Sequence, residues 1–178
     1  MPLQHGPWTI QQTKVKYHNS FISIREDQVV QPNNIPGMYA IVKMKPGVAI
    51  LPIDNDNKVY LTKQFRYALG KESIEVVSGT VEEKEPRQLA ARRKLREEIG
   101  IIASELIDLG VVDLDTSIVR CCVHMFLAKQ LTTVEAHKEG TEIIEKFHVP
   151  LDTAVQMVMD SKITHALSCA LILKAAKR

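Results

Sequence analysis

The sequence lacks the features that mark membrane, secreted and disulfide-rich proteins. No apolar run approaches the roughly 20 residues that a membrane-spanning helix needs, and the N-terminus MPLQHGPWTI has no basic region followed by an apolar one. The three cysteines, Cys121, Cys122 and Cys169, are an odd number, and two adjacent residues of a strand point to opposite sides. We therefore expect a soluble, cytoplasmic protein with reduced thiols and no membrane partner, disulfide framework or zinc site.

Strong charge and the common nucleotide-binding glycine motifs are absent as well. The formal net charge is only +2, and lysine and arginine are scattered along the chain, so no basic surface for duplex nucleic acid is indicated. Neither G-x-G-x-x-G nor G-x-x-x-x-G-K-[ST] occurs. We expect no nucleic-acid partner.

Length and composition indicate an ordinary globular protein. The chain has 178 residues, of which 45% are hydrophobic and 25% charged, which is enough for one domain with a real core. No internal repeat, low-complexity segment or Gly/Ser-rich linker divides it. We therefore predict a single domain over residues 1–178.

Most of the chain has the pattern of short strands. From Trp8 to Val30, apolar and polar residues alternate around an Asn-Ser break, which predicts two antiparallel strands. Further strand-like runs are MYAIVKM, GVAILPI, KVYLTKQFRYAL, SIEVV, ELIDLGVVDL, VRCCVHMFLAKQ and TEIIEKFHV. The C-terminal runs LDTAVQMVMDS and THALSCALILKAAK carry helical spacing. This order predicts an α+β layered domain with a mixed sheet rather than a doubly wound parallel sheet.

The stretch VSGTVEEKEPRQLAARRKLREEIGI, residues 77–101, contains the one internal helix that we predict. Pro86 suits the first helical position, where an N–H would have no partner, and Gly100 suits the position just past the end. A helix from about residue 86 to 99 is predicted.

Acidic side chains gather on one side of this helix. At 100° per residue, Lys94, Glu97 and Glu98 share an arc beside the apolar stripe. Ahead of the helix, Gly79 permits a backbone turn that would bring the carbonyl oxygen of Ser78 next to the carboxylates. Carboxylates and carbonyls are the hard oxygen ligands that Mg²⁺ or Mn²⁺ prefers. A site for such an ion is therefore predicted.

These residues resemble a known motif, the Nudix box G-x5-E-x7-R-E-U-x-E-E-x-G-U, in which U is aliphatic. Eight of its nine defined positions match, at Gly79, Glu85, Arg93, Leu95, Glu97, Glu98, Gly100 and Ile101. The ninth position, glutamate in the family, is Lys94.

The resemblance covers nearly the whole chain. The runs QFRYALGKESIEVVSG, VRCCVHMFLAK and EGTEIIEKFHVPLDTAVQMV are similar to segments of the ADP-ribose and nucleotide-sugar pyrophosphatase branch. This implies a Nudix-type α/β/α sandwich with a mixed central sheet and an additional N-terminal antiparallel hairpin. The hairpin, about residues 1–35, resembles one that relatives exchange between subunits, so the resemblance implies a homodimer with a catalytic core at about residues 36–178.

The resemblance also implies roles for the residues of the box. Glu97 and Glu98 would bind the metal ion together with the Ser78 carbonyl, and Arg93 would hold the box by pairing with a glutamate such as Glu85. Gly79 and Gly100 would be its structural glycines. The bland alternative for Glu97 and Glu98 is a solvated helix face paired with Lys94.

Residues outside the box match further positions of that branch. Arg66 and Glu75 match positions near the substrate phosphates, and Trp8 matches an aromatic that stacks on adenine across the dimer. Glu142, with Glu139 as second choice, would be the general base or an additional metal ligand.

Plainer interpretations of these residues stay open. In these interpretations, Arg66 pairs with a carboxylate of the sheet and Trp8 anchors the hairpin. Glu139 and Glu142 are then solvated loop residues. His124 and His165 have no acidic or thiol partners at ligand spacing, so we expect structural roles for both.

The leading hypothesis is Mg²⁺- or Mn²⁺-dependent hydrolysis of a nucleoside diphosphate sugar, with ADP-ribose converted to AMP and ribose 5-phosphate. Lys94 leaves three outcomes open: a single metal ion on Glu97 and Glu98, an ammonium standing in place of a metal ion, or nucleotide binding alone. The alternative function is therefore a catalytically weak homologue that binds a nucleotide sugar. A structural dimer module with a relict site is the third hypothesis.

Overall fold

A computed structural model describes residues 2–136 and 144–178 of the chain. In chain order, the strands of this part are β1 Leu3–His5, β2 Trp8–His18, β3 Ile22–Val30, β4 Pro36–Met44, β5 Gly47–Pro52, β6 Lys58–Arg66, β7 Lys71–Glu75, β8 Val77–Thr80, β9 Ile101–Asp113, β10 Val119–Arg120, β11 Cys122–Thr133 and β12 Glu145–Pro150. The helices are α1 Arg87–Ile99, α2 Leu151–Met159 and α3 Ala166–Ala175. The chain forms two compact units, residues 1–46 with 113–122 and residues 47–112 with 123–178.

The first unit contains a five-stranded sheet in the order β1-β2-β3-β4-β10. Strands β2 and β3 form the predicted antiparallel hairpin, and at its turn the Asn19 carboxamide oxygen accepts the N–H groups of Phe21 and Ile22, each at 2.8 Å. Such side-chain bonds are why asparagine marks a turn. The hairpin does not stand alone, because β4 pairs antiparallel with β3 and β10 pairs parallel with β4.

The second unit contains two sheets and the α-helices α1, α2 and α3. The sheet β8-β5-β11-β9 is mixed, since β11 runs parallel to β5 and β8 antiparallel to it. The sheet β12-β6-β7 is antiparallel. Helix α1 packs on β8 and β5, and α3 packs on β5 and α2. The main core includes Val48, Ile50, Val77, Ala91, Leu95, Ile99 and Phe126.

The run SIEVV, predicted as one strand, belongs to two. Residues 71–75 pair with β6, whereas residues 77–80 pair with β5 in the other sheet. Val76, between them, donates its backbone N–H to the Ser168 hydroxyl at 3.0 Å rather than to a strand. The prediction of one strand is wrong because both pieces are extended and apolar, so no sequence period marks the point where the chain changes sheets.

Helix α1 begins one residue later than predicted, since Pro86 is its extended N-cap residue. Its end is as predicted: Gly100 is left-handed, with φ 61° and ψ 45°, and donates its N–H to the Arg96 and Leu95 carbonyls. A Cβ at Gly100 would collide with the Val134 carbonyl oxygen. Glycine is therefore required here by both backbone conformation and space.

The two requirements at Gly100 can be separated by comparison with another glycine. Gly70 has φ 64°, but a Cβ added to it would meet no atom within 4 Å, so Gly70→Ala carries the backbone cost alone, about 1 kcal/mol. We expect Gly100→Ala to lower the free energy of unfolding by about 1–3 kcal/mol more than Gly70→Ala does, because of the collision. Urea denaturation of both variants measures the difference, and equal losses would contradict a steric role for Gly100.

Candidate active site

The candidate site lies where α1 packs on strand β8, within the second unit. Ser78 and Gly79 are part of β8 and pair with Ala49 and Val48 of β5, so the predicted backbone turn at these residues is wrong. The space above Gly79 explains the glycine instead: a Cβ there would lie 2.5 Å from Lys94 Cδ and 2.6 Å from its Cε. Gly79 is a place of close approach between strand and helix.

The Lys94 side chain ends on Glu97. Its Nζ donates to Glu97 Oε2 at 2.9 Å, one helical turn away. The two side chains are only 21% and 15% exposed, so the pair is screened less than a surface pair. Glu97 also lies 3.3 Å from Arg93 Nη1. One carboxylate therefore contacts two cationic side chains.

Arg93 makes the predicted contact with Glu85 through a two-bond fork. Its Nε donates to Glu85 Oε1 at 2.8 Å and its Nη2 to Oε2 at 2.7 Å, and Nη2 also donates to the Thr80 carbonyl at 3.2 Å. Hydrogen bonding to Arg93 lowers the pKa of the Glu85 carboxyl to about 2, and the same contact raises the pKa of Arg93. The fork ties the segment before α1 to the middle of the helix.

The oxygen donors suit one hard cation. Glu97 and Glu98 are half-buried on α1, and Ser78 is half-buried on β8. Two carboxylates and one carbonyl match what Mg²⁺ takes from a protein when waters and substrate phosphates supply the rest. Within residues 2–136 and 144–178, no group of three or more His, Cys, Asp and Glu side chains could hold a metal ion. The donors thus fit in chemical type without forming a closed cage. Glu139 and Glu142 lie outside the described residues, and their role stays a prediction.

Arg66 and Glu75, on neighbouring strands β6 and β7, form a second fork. Arg66 Nε donates to Glu75 Oε1 at 2.9 Å and Nη2 donates to Oε2 at 2.5 Å. Glu75 is 2% exposed. Burial by itself raises the pKa of its carboxyl, but hydrogen bonding to Arg66, together with His165 and Ser73, holds that pKa below its usual value. Arg66 therefore does pair with a sheet carboxylate, and this pairing fixes the direction of its guanidinium.

His165 has an acidic neighbour that the sequence did not indicate. Its Nδ1 lies 3.4 Å from Glu75 Oε2 and 2.8 Å from Ser168 Oγ. Burial lowers the pKa of His165, while the Glu75 charge acts in the opposite sense. No sequence signal could have shown this contact, because it joins the start of α3 to a strand 90 positions earlier.

The Ser168, His165 and Glu75 set is not a nucleophilic triad. Ser168 is completely buried, its hydroxyl already accepts the Val76 N–H, and it approaches the same ring nitrogen as Glu75 does. A triad needs the base to contact nucleophile and carboxylate through opposite nitrogens. The set instead ties α3 to the junction of β7 and β8.

Trp8, in the first unit, is half-buried at the start of β2. Its ring meets Tyr39 edge to face, with centroids 5.9 Å apart at 74°. Both rings line a largely apolar cavity of about 360 Å³, and the Tyr39 hydroxyl donates to the Ser117 carbonyl. Trp8 thus packs on Tyr39, an aromatic neighbour that sequence reasoning did not single out.

The helices in the described part of the chain are all too short or too polar to cross a membrane.

Comparison with known proteins identifies the family. The NUDIX domain model matches residues 43–165, a range that includes the whole of α1, β8 and the Arg66–Glu75 fork. The chain belongs to the Nudix family. Nudix pyrophosphohydrolases generally use divalent cations. The oxygen donors at α1 and β8 are of the chemical type that such cations bind.

The chain is similar to two curated relatives over most of its length, and it shares its fold with a solved structure. It is 28% identical over 152 residues to the ADP-ribose pyrophosphatase of Bacillus subtilis, covering 84% of this chain and 82% of that one. It is 30% identical over 160 residues to the ADP-ribose pyrophosphatase of Mycobacterium tuberculosis, covering 86% and 76%. A crystal structure of an ADP compounds hydrolase superimposes with a TM-score of 0.83 at 17% identity, covering 96% and 92%. The predicted Nudix fold of the α+β class is confirmed.

The contact between Gly79 and Lys94 predicts a coupled pair of substitutions. Gly79→Ala should lower the free energy of unfolding by about 1–3 kcal/mol, because the new methyl group must displace the Lys94 side chain. In a Lys94→Ala background the obstacle is gone, so the same change should cost less than about 1 kcal/mol. Urea denaturation of the four proteins in this cycle tests the coupling. Equal costs in both backgrounds would mean that Lys94 does not require the glycine.

The fork on Glu85 predicts a pH-dependent stability. Because its folded pKa is about 2 against the usual 4.5, its contribution is present above pH 4.5 and is lost as pH falls from there towards 2. Glu85→Gln should therefore be less stable than the natural protein by about 1 kcal/mol at pH 7, and this gap should close in acid. Denaturation at pH 7, 4.5 and 3 measures it, with the exposed Glu83→Gln as control. A gap that is constant with pH would refute the charge-based account.

Proposed function

We propose that this Nudix protein hydrolyses the pyrophosphate bond of a nucleoside diphosphate sugar, and that ADP-ribose, giving AMP and ribose 5-phosphate, is the substrate to test first. The observation that carries the proposal is the pair of half-buried carboxylates, Glu97 and Glu98, on a helix that the Arg93–Glu85 fork holds beside β8. The choice of substrate rests on relatives of 28% and 30% identity that are named ADP-ribose pyrophosphatases.

The chemistry requires positive charge at the pyrophosphate, since its own oxygens repel a nucleophile. Mg²⁺ or Mn²⁺, when bound, neutralises phosphate oxygens and lowers the pKa of an attacking water. Glu97, Glu98 and the Ser78 carbonyl would hold this ion. Glu142, or else Glu139, would accept the proton of the water or bind an additional metal ion.

Arg66 would contribute further positive charge to the substrate phosphates. Its side chain is 36% exposed while that of Glu75 is 3% exposed, so the buried carboxylate orients a guanidinium whose outer part reaches solvent. A guanidinium held in one direction loses less conformational entropy when it binds an anion. Glu75 would therefore act through Arg66 rather than by touching the substrate.

A catalytically weak homologue that binds a nucleotide sugar is the second candidate. The observation that favours it is the 2.9 Å contact between the Lys94 ammonium and Glu97, because this contact competes with a metal ion for the carboxylate.

We also propose that residues 1–178 act as one domain, in the cytoplasm, as a homodimer that exchanges the N-terminal hairpin, about residues 1–35. Exposed apolar residues of the first unit support the homodimer: Leu3, Val15, Tyr17, Phe21, Ile35 and Met38 are each more than half exposed. Exposed apolar surface of this kind is typical of protein interfaces. In that arrangement Trp8 would stack on the adenine ring, a contact typically worth about 1–3 kcal/mol.

Incubation of the purified protein with ADP-ribose and Mg²⁺ or Mn²⁺ tests the main proposal, with AMP followed by chromatography. We expect AMP to form and a chelator to stop it. Glu98→Gln should lower the rate by about 10²–10³-fold, the usual cost of losing a group that stabilises transition-state charge. The exposed Glu105→Gln, the same chemical change on β9, is the matched control and should leave the rate unchanged.

The alternatives give different results in the same assay. If calorimetry detects binding of ADP-ribose but no AMP forms, the protein is the catalytically weak homologue and not an active hydrolase. If Glu98→Gln keeps full metal-dependent activity, the assignment of the metal ligands is wrong.

A further inference from the structure

We infer that Lys94 is the built-in cation of this site: its ammonium neutralises Glu97 in place of a divalent ion, so that the chain binds one divalent ion fewer than it does with glutamate at position 94. The inference rests on the proposed function, because it concerns Glu97 and Glu98, the carboxylates that the proposed function assigns to the metal ion. Its test measures metal binding and does not depend on catalysis.

The position of the ammonium is defined at both ends of the side chain. Along its length, Lys94 Cδ and Cε lie directly above Gly79, so closely that a Cβ there would be 2.5–2.6 Å away. At its tip, Nζ is 2.9 Å from Glu97 Oε2. A lysine that is only 21% exposed and confined between a strand backbone and a carboxylate differs from a solvated surface lysine.

The Lys94 side chain thus lies between residues that are predicted to hold the metal ion. Gly79 directly follows Ser78, whose carbonyl is one donor, and Glu97 is another donor. An ammonium has three N–H groups and no lone pair, so it cannot itself bind a metal ion. Since it also repels a cation at short range, it competes with a divalent ion for this part of the site.

The charges of the cluster lead to the same conclusion. Arg93 and Lys94 contact the carboxylates of Glu85 and Glu97. With Glu98, the next residue of α1, these five side chains carry a net charge of −1. Glutamate in place of Lys94 would make that charge −3. Arg93 is already held by the two-bond fork to Glu85, so Lys94 is the cation whose nearest partner is Glu97.

Titration of the protein with Mn²⁺ alone, by calorimetry and by electron paramagnetic resonance, tests the inference. We expect Lys94→Glu to bind one Mn²⁺ more than the natural protein, or to bind Mn²⁺ at least tenfold more tightly. Lys94→Met removes the charge without adding a ligand and should bind Mn²⁺ more tightly without the additional ion.

The matched control is Arg96→Glu. It makes the same change of charge two residues further along α1, at an exposed position, and should alter Mn²⁺ affinity by less than about twofold. If Lys94→Glu behaves like Arg96→Glu, the inference is overturned, because only the overall charge would then matter. If Lys94→Glu does not fold by circular dichroism, Lys94→Met decides, and unchanged Mn²⁺ affinity in that variant overturns the inference equally.

Gly79→Ala moves the ammonium without changing any charge. It should change Mn²⁺ affinity in the natural protein but not in the Lys94→Met background. An equal change in both backgrounds would show that the contact of the Lys94 side chain with Gly79 does not determine the position of the ammonium.

The failure of the inference and that of the proposed function are distinguishable. If the natural protein hydrolyses ADP-ribose but Lys94→Glu does not change Mn²⁺ binding, the proposed function is supported and the inference is wrong. If Lys94→Glu binds an additional Mn²⁺ but the natural protein does not hydrolyse ADP-ribose, the inference is supported and the proposed function is wrong.

Discussion

The Arg93 guanidinium is the contact on which the candidate site depends. It joins three parts of the second unit, because it binds Glu85 ahead of α1, the Thr80 carbonyl at the end of β8 and Glu97 one turn further along the helix. The buried side chains of α1, including Leu95 and Ile99, pack it onto the sheet. This apolar packing defines which face of α1 meets the sheet, and the directional bonds of the planar guanidinium add fixed contacts to β8 and to the segment before the helix.

With the helix in that position, the charges near β8 are balanced by contact rather than by solvent. Glu97 lies against Lys94 and Arg93, and Glu98 follows it on the half-buried side of α1. When a carboxylate already has a cationic side chain in hydrogen-bond contact, part of its negative charge is neutralised without a metal ion. At position 94, where the Nudix box has glutamate, this chain therefore has an ammonium in direct contact with Glu97.

A second set of contacts joins helix α3 to strands β6 and β7. The buried Glu75 holds Arg66 from one strand and meets His165 at the start of α3, while Ser168 accepts the N–H of Val76 where the chain leaves one sheet for the other. Helix α3 therefore secures the strand change that carries β8 to its place beside α1. Buried polar groups of this kind stabilise only when each of them has a partner, which is the case for Glu75 and Ser168.

The sequence by itself determined the elements whose cause is local. Alternation and turn residues were enough for the first hairpin, the helix end at Gly100 follows from its left-handed conformation, and the spacing of the box placed Glu97, Glu98 and Lys94 on one arc. Only the tertiary structure decided how distant pieces meet: the change of sheets at Val76, the seat of Lys94 above Gly79, and the approach of His165 to Glu75. Those contacts depend on packing between segments far apart in the chain, and short-range periodicity carries no information about such packing.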